Sequence, residues 1–183
     1  MTTPTASRFD VLTLWLHWLT ATLVLAQFAT AWSVDRVDPA QVDLVLAVHR
    51  STGVLLWTLT VGRLAWRLTF MRLPPPAPTM PQLQRLAVRA NEYALYLLLL
   101  LQPITGMVDS LFRAHPFPLF GLAVPVLVAK SKPIYHTAHT LHEAGGWFLL
   151  SLIGLHTAAA LFHQLVLRDG VFQSMWPSGR RRS

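Results

Sequence analysis

The chain has 183 residues, of which 53% are hydrophobic and 13% charged, with eight histidines, no cysteine and a formal net charge of +7. With a mean hydropathy of +0.44 a soluble globule of this size would lack polar surface, so the composition points to a membrane protein of one domain, residues 1–183. The lack of cysteine excludes disulfides, iron–sulfur clusters and thiolate zinc sites, and the fifteen Lys and Arg lie at the ends of apolar runs and in short tails, which argues against nucleic acid as a partner.

A helix crossing about 30 Å of hydrocarbon needs about 20 mostly apolar residues. Four segments meet this, at roughly residues 11–34, 42–68, 91–112 and 134–167. An all-α membrane bundle of four helices is the expected fold. The first segment is longer than the roughly 7–15-residue core of a signal peptide and holds His17, so it reads as a retained helix. Acidic Asp35, Asp38 and Asp43 dominate the link to the second span. After that span comes RLPPPAPTMPQLQR, whose prolines read as an extended connector at about residues 73–85. Pro103 is expected to kink the third span. The link between spans three and four, at about residues 113–133, is apolar but broken by proline, and reads as a re-entrant or surface-lying segment. Arg67, Arg72, Arg85 and Arg89 around the connector, with Arg168 and Arg180 to Arg182 in the tail, put both termini and the connector on the cytoplasmic side.

Ionisable groups inside a bilayer are costly and call for a reason. On this topology His17 and His156 lie at an inner depth, and His49 and His142 at an outer depth. His142 and His156 are fourteen residues apart, which is about 21 Å of rise and a return to nearly the same helix face. Two imidazole pairs at two levels suit the axial positions of two haems; a proton or ion path and, more weakly, zinc are the alternatives. Gly145, Gly146 and Gly53 beside the outer histidines read as clearance for a macrocycle. Arg50, Arg63 and Arg67 are candidate partners for haem propionates, with interfacial anchoring as the other reading of Arg67. His163, one further i+7 step along, is either a proton donor to a substrate or an interfacial histidine reaching water. His115, His136 and His139 read as solvated. The tryptophans, Trp176 among them, read as interfacial belt or packing residues.

The segments RFDVLTLWLHWLTATLVLAQF, AVHRSTGVLLWTLTVGRLAWRL, QPITGMVDS and LHEAGGWFLLSLIGLHTAAALFHQLVLRDGVFQSM together resemble the bacterial cytochrome b561 family over about residues 8–177. The resemblance implies a four-helix cytochrome of the bacterial inner membrane with two haem b groups. Its ligands match His17 with His156 and His49 with His142, and a histidine matching His163 is tied to quinone. Some members of the family are superoxide oxidases, passing electrons from superoxide at the outer face to ubiquinone. Others are haem subunits joining a partner dehydrogenase or hydrogenase to the quinone pool, so a protein redox partner is the second expectation. For an anionic substrate, Arg113, Lys130 and Lys132 in the outer link are candidate steering charges, with a solvating role for the lysines as the plain alternative. A haem-free transporter or channel is a third reading.

Overall fold

The computed structural model describes residues 10–70 and 82–168, with Gln173 and Met175. Arg72, most of the proline-rich connector, Trp176 and the arginine run at residues 180–182 lie outside the described residues. Four helices are long and apolar enough to cross a membrane: α1 (Val11–Ser33), α2 (Val42–Thr69), α3 (Gln82–Phe112) and α4 (Lys132–Phe162).

Capping sets the first boundary. Asp10 accepts the Thr13 amide at 2.9 Å and the Thr13 hydroxyl at 2.6 Å, which satisfies an orphan donor of the first turn. The hydrogen bond from Thr13 also holds the Asp10 carboxyl below its ordinary range. Within α1 the hydroxyls of Thr20, Thr22 and Thr30 donate to carbonyls one turn back, so these polar groups enter an apolar helix with their protons already bonded. Asp38 then caps a short turn, Pro39–Gln41, that leads into α2.

The third helix begins at Gln82, well before residue 91. Pro81 is the last proline of the connector, and Leu83, Leu86 and Val88 continue outward as an exposed apolar stripe among polar residues. Arg67 near the end of α2 pairs with Glu92 of α3, with Arg67 Nη2 2.8 Å from Glu92 Oε2, and lies over the Tyr96 ring. Pro103 is accommodated inside one continuous helix.

The link after α3 folds as a hairpin. β1 (Phe117–Leu119) pairs antiparallel with β2 (Leu122–Val124), in the register Phe117 to Val124 and Leu119 to Leu122. Phe120 and Gly121 at its tip both have positive φ, 51° and 79°, as a two-residue turn of this hand requires. Phe117 is buried beneath the Arg50 guanidinium, and the Phe120 amide donates to Ser51 Oγ at 2.8 Å, which ties the hairpin to α2. After α4 the helix widens into a π turn, His163–Leu167, closed by the left-handed Arg168, whose amide donates to the His163 carbonyl at 2.7 Å.

Helix α1 packs on α2, α2 on α3, and α3 on α4. One buried side chain from each helix forms the centre: Val24, Leu56, Leu99 and Leu149, with Leu23, Phe28, Leu95, Leu98 and Ile153 packed around them. The outer surfaces carry exposed Trp15, Leu25, Leu97, Trp147, Phe148 and Leu155, suited to hydrocarbon rather than water.

Candidate functional site: two histidine pairs across the bundle

The central apolar layer lies between two levels of histidine. Val24 sits between His17 and Thr30 along α1, Leu56 between His49 and Arg63 along α2, and Leu149 midway between His142 and His156 along α4. At one level His49 of α2 faces His142 of α4, with ring centroids 6.1 Å apart. At the other His17 of α1 faces His156 of α4, at 6.2 Å. These are the two pairings expected from depth. No cluster of three or more metal-ligating side chains occurs among the described residues, so each level offers two nitrogen donors and no protein tetrahedron for zinc.

The spacing can be tested against chemistry. An imidazole nitrogen bonds a first-row metal at about 2.0–2.1 Å and lies about 1.1 Å from its ring centre, so two imidazoles on opposite sides of one metal have centroids roughly 6.3 Å apart. Both pairs stand close to that distance, and the donor set fits the two axial positions of a haem iron.

Hydrogen bonds decide which nitrogen faces the gap at the outer level. His142 Nδ1 lies 2.9 Å from the Gln102 carbonyl of α3, a group that can only accept, so Nδ1 carries the proton and Nε2 keeps its lone pair. His49 Nδ1 lies 2.9 Å from Thr30 Oγ1. That hydroxyl spends its proton on the Ala26 and Gln27 carbonyls, at 2.8 and 3.0 Å, so it accepts from His49 and again leaves Nε2 as the donor to a metal. The inner level differs. His17 Nδ1 is buried with no hydrogen-bond partner among the described residues.

The glycines beside the outer histidines lie near two glutamines. A Cβ on Gly145 would meet the Gln102 side chain at 3.1 Å, and one on Gly53 would meet Gln27 at 3.5 Å. Gly145 makes room for Gln102, whereas a Cβ at Gly53 would only be in ordinary contact with Gln27. Gln102 donates from Nε2 to the His142 carbonyl at 2.9 Å, and Gln27 donates to the His49 carbonyl at 3.1 Å and to Thr52 Oγ1 at 2.5 Å. Gly106 of α3 lies against the imidazole itself, where a Cβ would stand 3.0 Å from His142 Cε1. Gln27, Thr30, Gln102, Thr105 and Gly106 were missed as site residues; the signal was polar and small side chains inside apolar spans, two of them glutamines.

The candidate arginines divide. Arg63 lies over the Tyr96 ring and within electrostatic range of both His17 and His156. Arg50 donates to Ser110 Oγ at 3.0 Å. Arg67 is already engaged by Glu92, and its side chain is only 12% exposed. At the outer end Arg113 is bidentate to Asp109 at 2.8 and 3.2 Å, and His139 approaches the same carboxylate at 3.4 Å. Lys130 and Lys132 are exposed and make no ion pair among the described residues. His115 and His136 are exposed, as expected of solvated residues. His163 is only 7% exposed, so the reading as a histidine reaching water does not hold for this fold.

A family profile described as prokaryotic cytochrome b561 matches residues 8–178. The chain belongs to that family. Cytochrome b561 homolog 2 of Escherichia coli (strain K12) is 32% identical over 176 residues, covering 94% of this chain and 93% of its own. Cytochrome b561 homolog 1 of the same organism and the probable superoxide oxidase CybB of Yersinia pestis are each 25% identical, covering 93% and 94% of this chain and 98% of their own. Membership of the cytochrome b561 family makes this a bacterial membrane electron-transfer protein that carries b-type haem.

The close approach at Gly106 generates a test. Gly106→Val forces the His142 ring away from α3, and the purified variant is expected to lose the absorbance of the haem held by that histidine while remaining helical by circular dichroism; full haem absorbance in a folded variant would show that the approach is not needed.

Proposed function

We propose that this chain is a dihaem cytochrome b561 that acts as a superoxide:ubiquinone oxidoreductase of the inner membrane, with both termini cytoplasmic. The observation that carries the dihaem part is the pair of facing imidazoles at each of two levels, 6.1 and 6.2 Å apart. His49 and His142 hold the outer haem; His17 and His156 hold the inner one. The orientation rests on the arginine-rich inner segments against the aspartates before α2. The substrate assignment is supported by the likeness to the probable superoxide oxidase CybB and by the exposed Lys130 and Lys132 in the link after α3.

When bound, haem supplies one-electron exchange at its iron. The rest is done by the chain. Two superoxide anions each give up one electron and leave as dioxygen, while ubiquinone takes two electrons and two protons to become quinol. Lys130 and Lys132 stand in water at the outer end and attract an anion, whereas the charge of Arg113 is neutralised by Asp109, so the lysines carry most of the steering. The central leucines and valine keep water out between the levels. Arg63 and Arg50, which pair with no protein carboxylate among the described residues, are placed to bind propionates; Arg67 instead clamps α2 to α3 through Glu92. His163, buried where α4 widens into its π turn, is placed to pass a proton to quinone at the cytoplasmic end.

The deciding experiment is stopped-flow haem reduction by superoxide, followed by addition of ubiquinone, on purified protein without partners. Fast reduction and reoxidation are expected. Reduction only in the presence of a copurifying dehydrogenase would favour the haem-subunit alternative, and a preparation with no low-spin b-type spectrum would return the histidines to a proton path.

Three variants test the parts. His49→Ala and His142→Ala are expected to lose one and the same haem, and His17→Ala and His156→Ala the other; loss of the same haem from the His17 and His49 variants would break the pairing. Replacing both Lys130 and Lys132 by Glu is expected to slow superoxide-driven reduction about tenfold at low ionic strength and much less at high salt; equal rates at low salt would remove the steering role. His163→Ala is expected to keep both haems and to slow quinone reduction by roughly 10²-fold, the usual weight of one positioned proton donor; unchanged turnover would clear it of that role.

A further inference from the structure

The two levels are built differently around the same kind of ligand. At the outer level both imidazoles donate Nδ1–H to an oxygen of a neighbouring helix: His49 to Thr30 on α1, and His142 to the Gln102 carbonyl on α3. Thr105 adds to the second bond. Its hydroxyl donates to the same Gln102 carbonyl at 2.9 Å and lies 3.1 Å from His142 Nδ1. At the inner level His17 Nδ1 has no acceptor, and no hydrogen bond to His156 occurs among the described residues.

We infer that Thr30, Thr105 and the Gln102 carbonyl are positioning groups that set the reduction potential of the outer haem below that of the inner one, so that the protein itself biases electrons inward. The inference rests on the haem assignment proposed above.

The physical reason lies in the ligand. A hydrogen bond from Nδ1–H to an oxygen draws the ring proton outward and makes Nε2 a stronger donor. Stronger donation favours the more positive oxidation state of iron, which lowers the potential. Both outer imidazoles receive this treatment and His17 does not. The carbonyl of Gln102 cannot be removed by changing a side chain, but the threonine hydroxyls can, and valine keeps nearly the same shape.

The test is a redox titration of haem-loaded protein followed by visible absorbance. The outer transition is identified as the one missing from His49→Ala, and it is expected to be the lower of the two in the parent. Thr30→Val is expected to move that transition to a more positive potential and leave the other in place, with Thr30→Ser restoring the parent value. Thr105→Val is expected to move the same transition in the same direction by less, since the carbonyl remains. An outer transition that lies above the inner one, or that stays fixed in both valine variants, overturns the inference while the dihaem reading stands. If Thr30→Val fails to hold the outer haem, retention by Thr30→Ser supports the positioning role and Thr105→Val decides the potential; loss from Thr30→Ser as well overturns it. Fewer than two haems in the fully loaded parent refutes the dihaem reading and this inference with it.

Discussion

An imidazole placed in hydrocarbon must satisfy two nitrogens, and the architecture follows from how it does so. One nitrogen finds an oxygen on a neighbouring helix or goes without; the other faces across the bundle toward a second imidazole. Burial of an unpaired polar nitrogen costs on the order of 1–3 kcal/mol, so a histidine held by two partners is stable in lipid where a lone one is not. This is why α3, which bears none of the four facing histidines, is central. It supplies the Gln102 carbonyl, the Gln102 side chain and the clearance at Gly106 that together fix His142.

The two ends of the bundle then take unlike chemistry. The outer end is closed by the hairpin, whose Phe117 lies under Arg50, and by the carboxylate of Asp109 shared between Arg113 and His139. Much of the fixed charge beside the hairpin is therefore cancelled locally, while Lys130 and Lys132 stay exposed there and Asp35, Asp38 and Asp43 stay exposed around the start of α2. At the inner end Tyr96 stands between Arg63 and Arg67, and of the two only Arg67 pairs with a carboxylate among the described residues. A guanidinium held on an aromatic face without an acidic partner is well suited to receive a carboxylate from a ligand.

Much of this was legible in the sequence because depth in a bilayer is a one-dimensional quantity. Apolar run length located the four helices, and counting residues from their ends placed His17 with His156 and His49 with His142 before any helix neighbour was known. What depth leaves open is which faces touch. Gly145 was visible as a small residue beside a histidine, but that it admits Gln102 depends on helix rotation. Likewise the acceptor for His142 is a backbone carbonyl, a group every residue carries and no sequence pattern marks. The start of α3 at Gln82 was hidden by its composition, since a stripe of Leu83, Leu86 and Val88 between arginines is amphipathic rather than spanning. The hairpin was obscured because three prolines stand in and around two strands of three residues, too short for alternation to register.

Helix α4 has a particular burden in this arrangement. Fourteen residues separate its two histidines, two heptads that return to nearly the same face, so one straight helix presents a ligand to each level. Their partners must come from different helices, because antiparallel neighbours reverse depth: α2 offers its histidine near the outer end and α1 near the inner. An axial slip of α1 or α2 would therefore disturb one level, whereas a slip of α4 by one turn, about 5.4 Å, would disturb both at once. The packing answers this asymmetry. Gln102 of α3 bonds the His142 backbone carbonyl and lies against Gly145, and Gly106 lies against the imidazole ring, so two successive turns of α3 are interlocked with one turn of α4. A helix that slid would have to break that bond and drive a ring into the α3 backbone, so these contacts fix the axial position of α4 against α3.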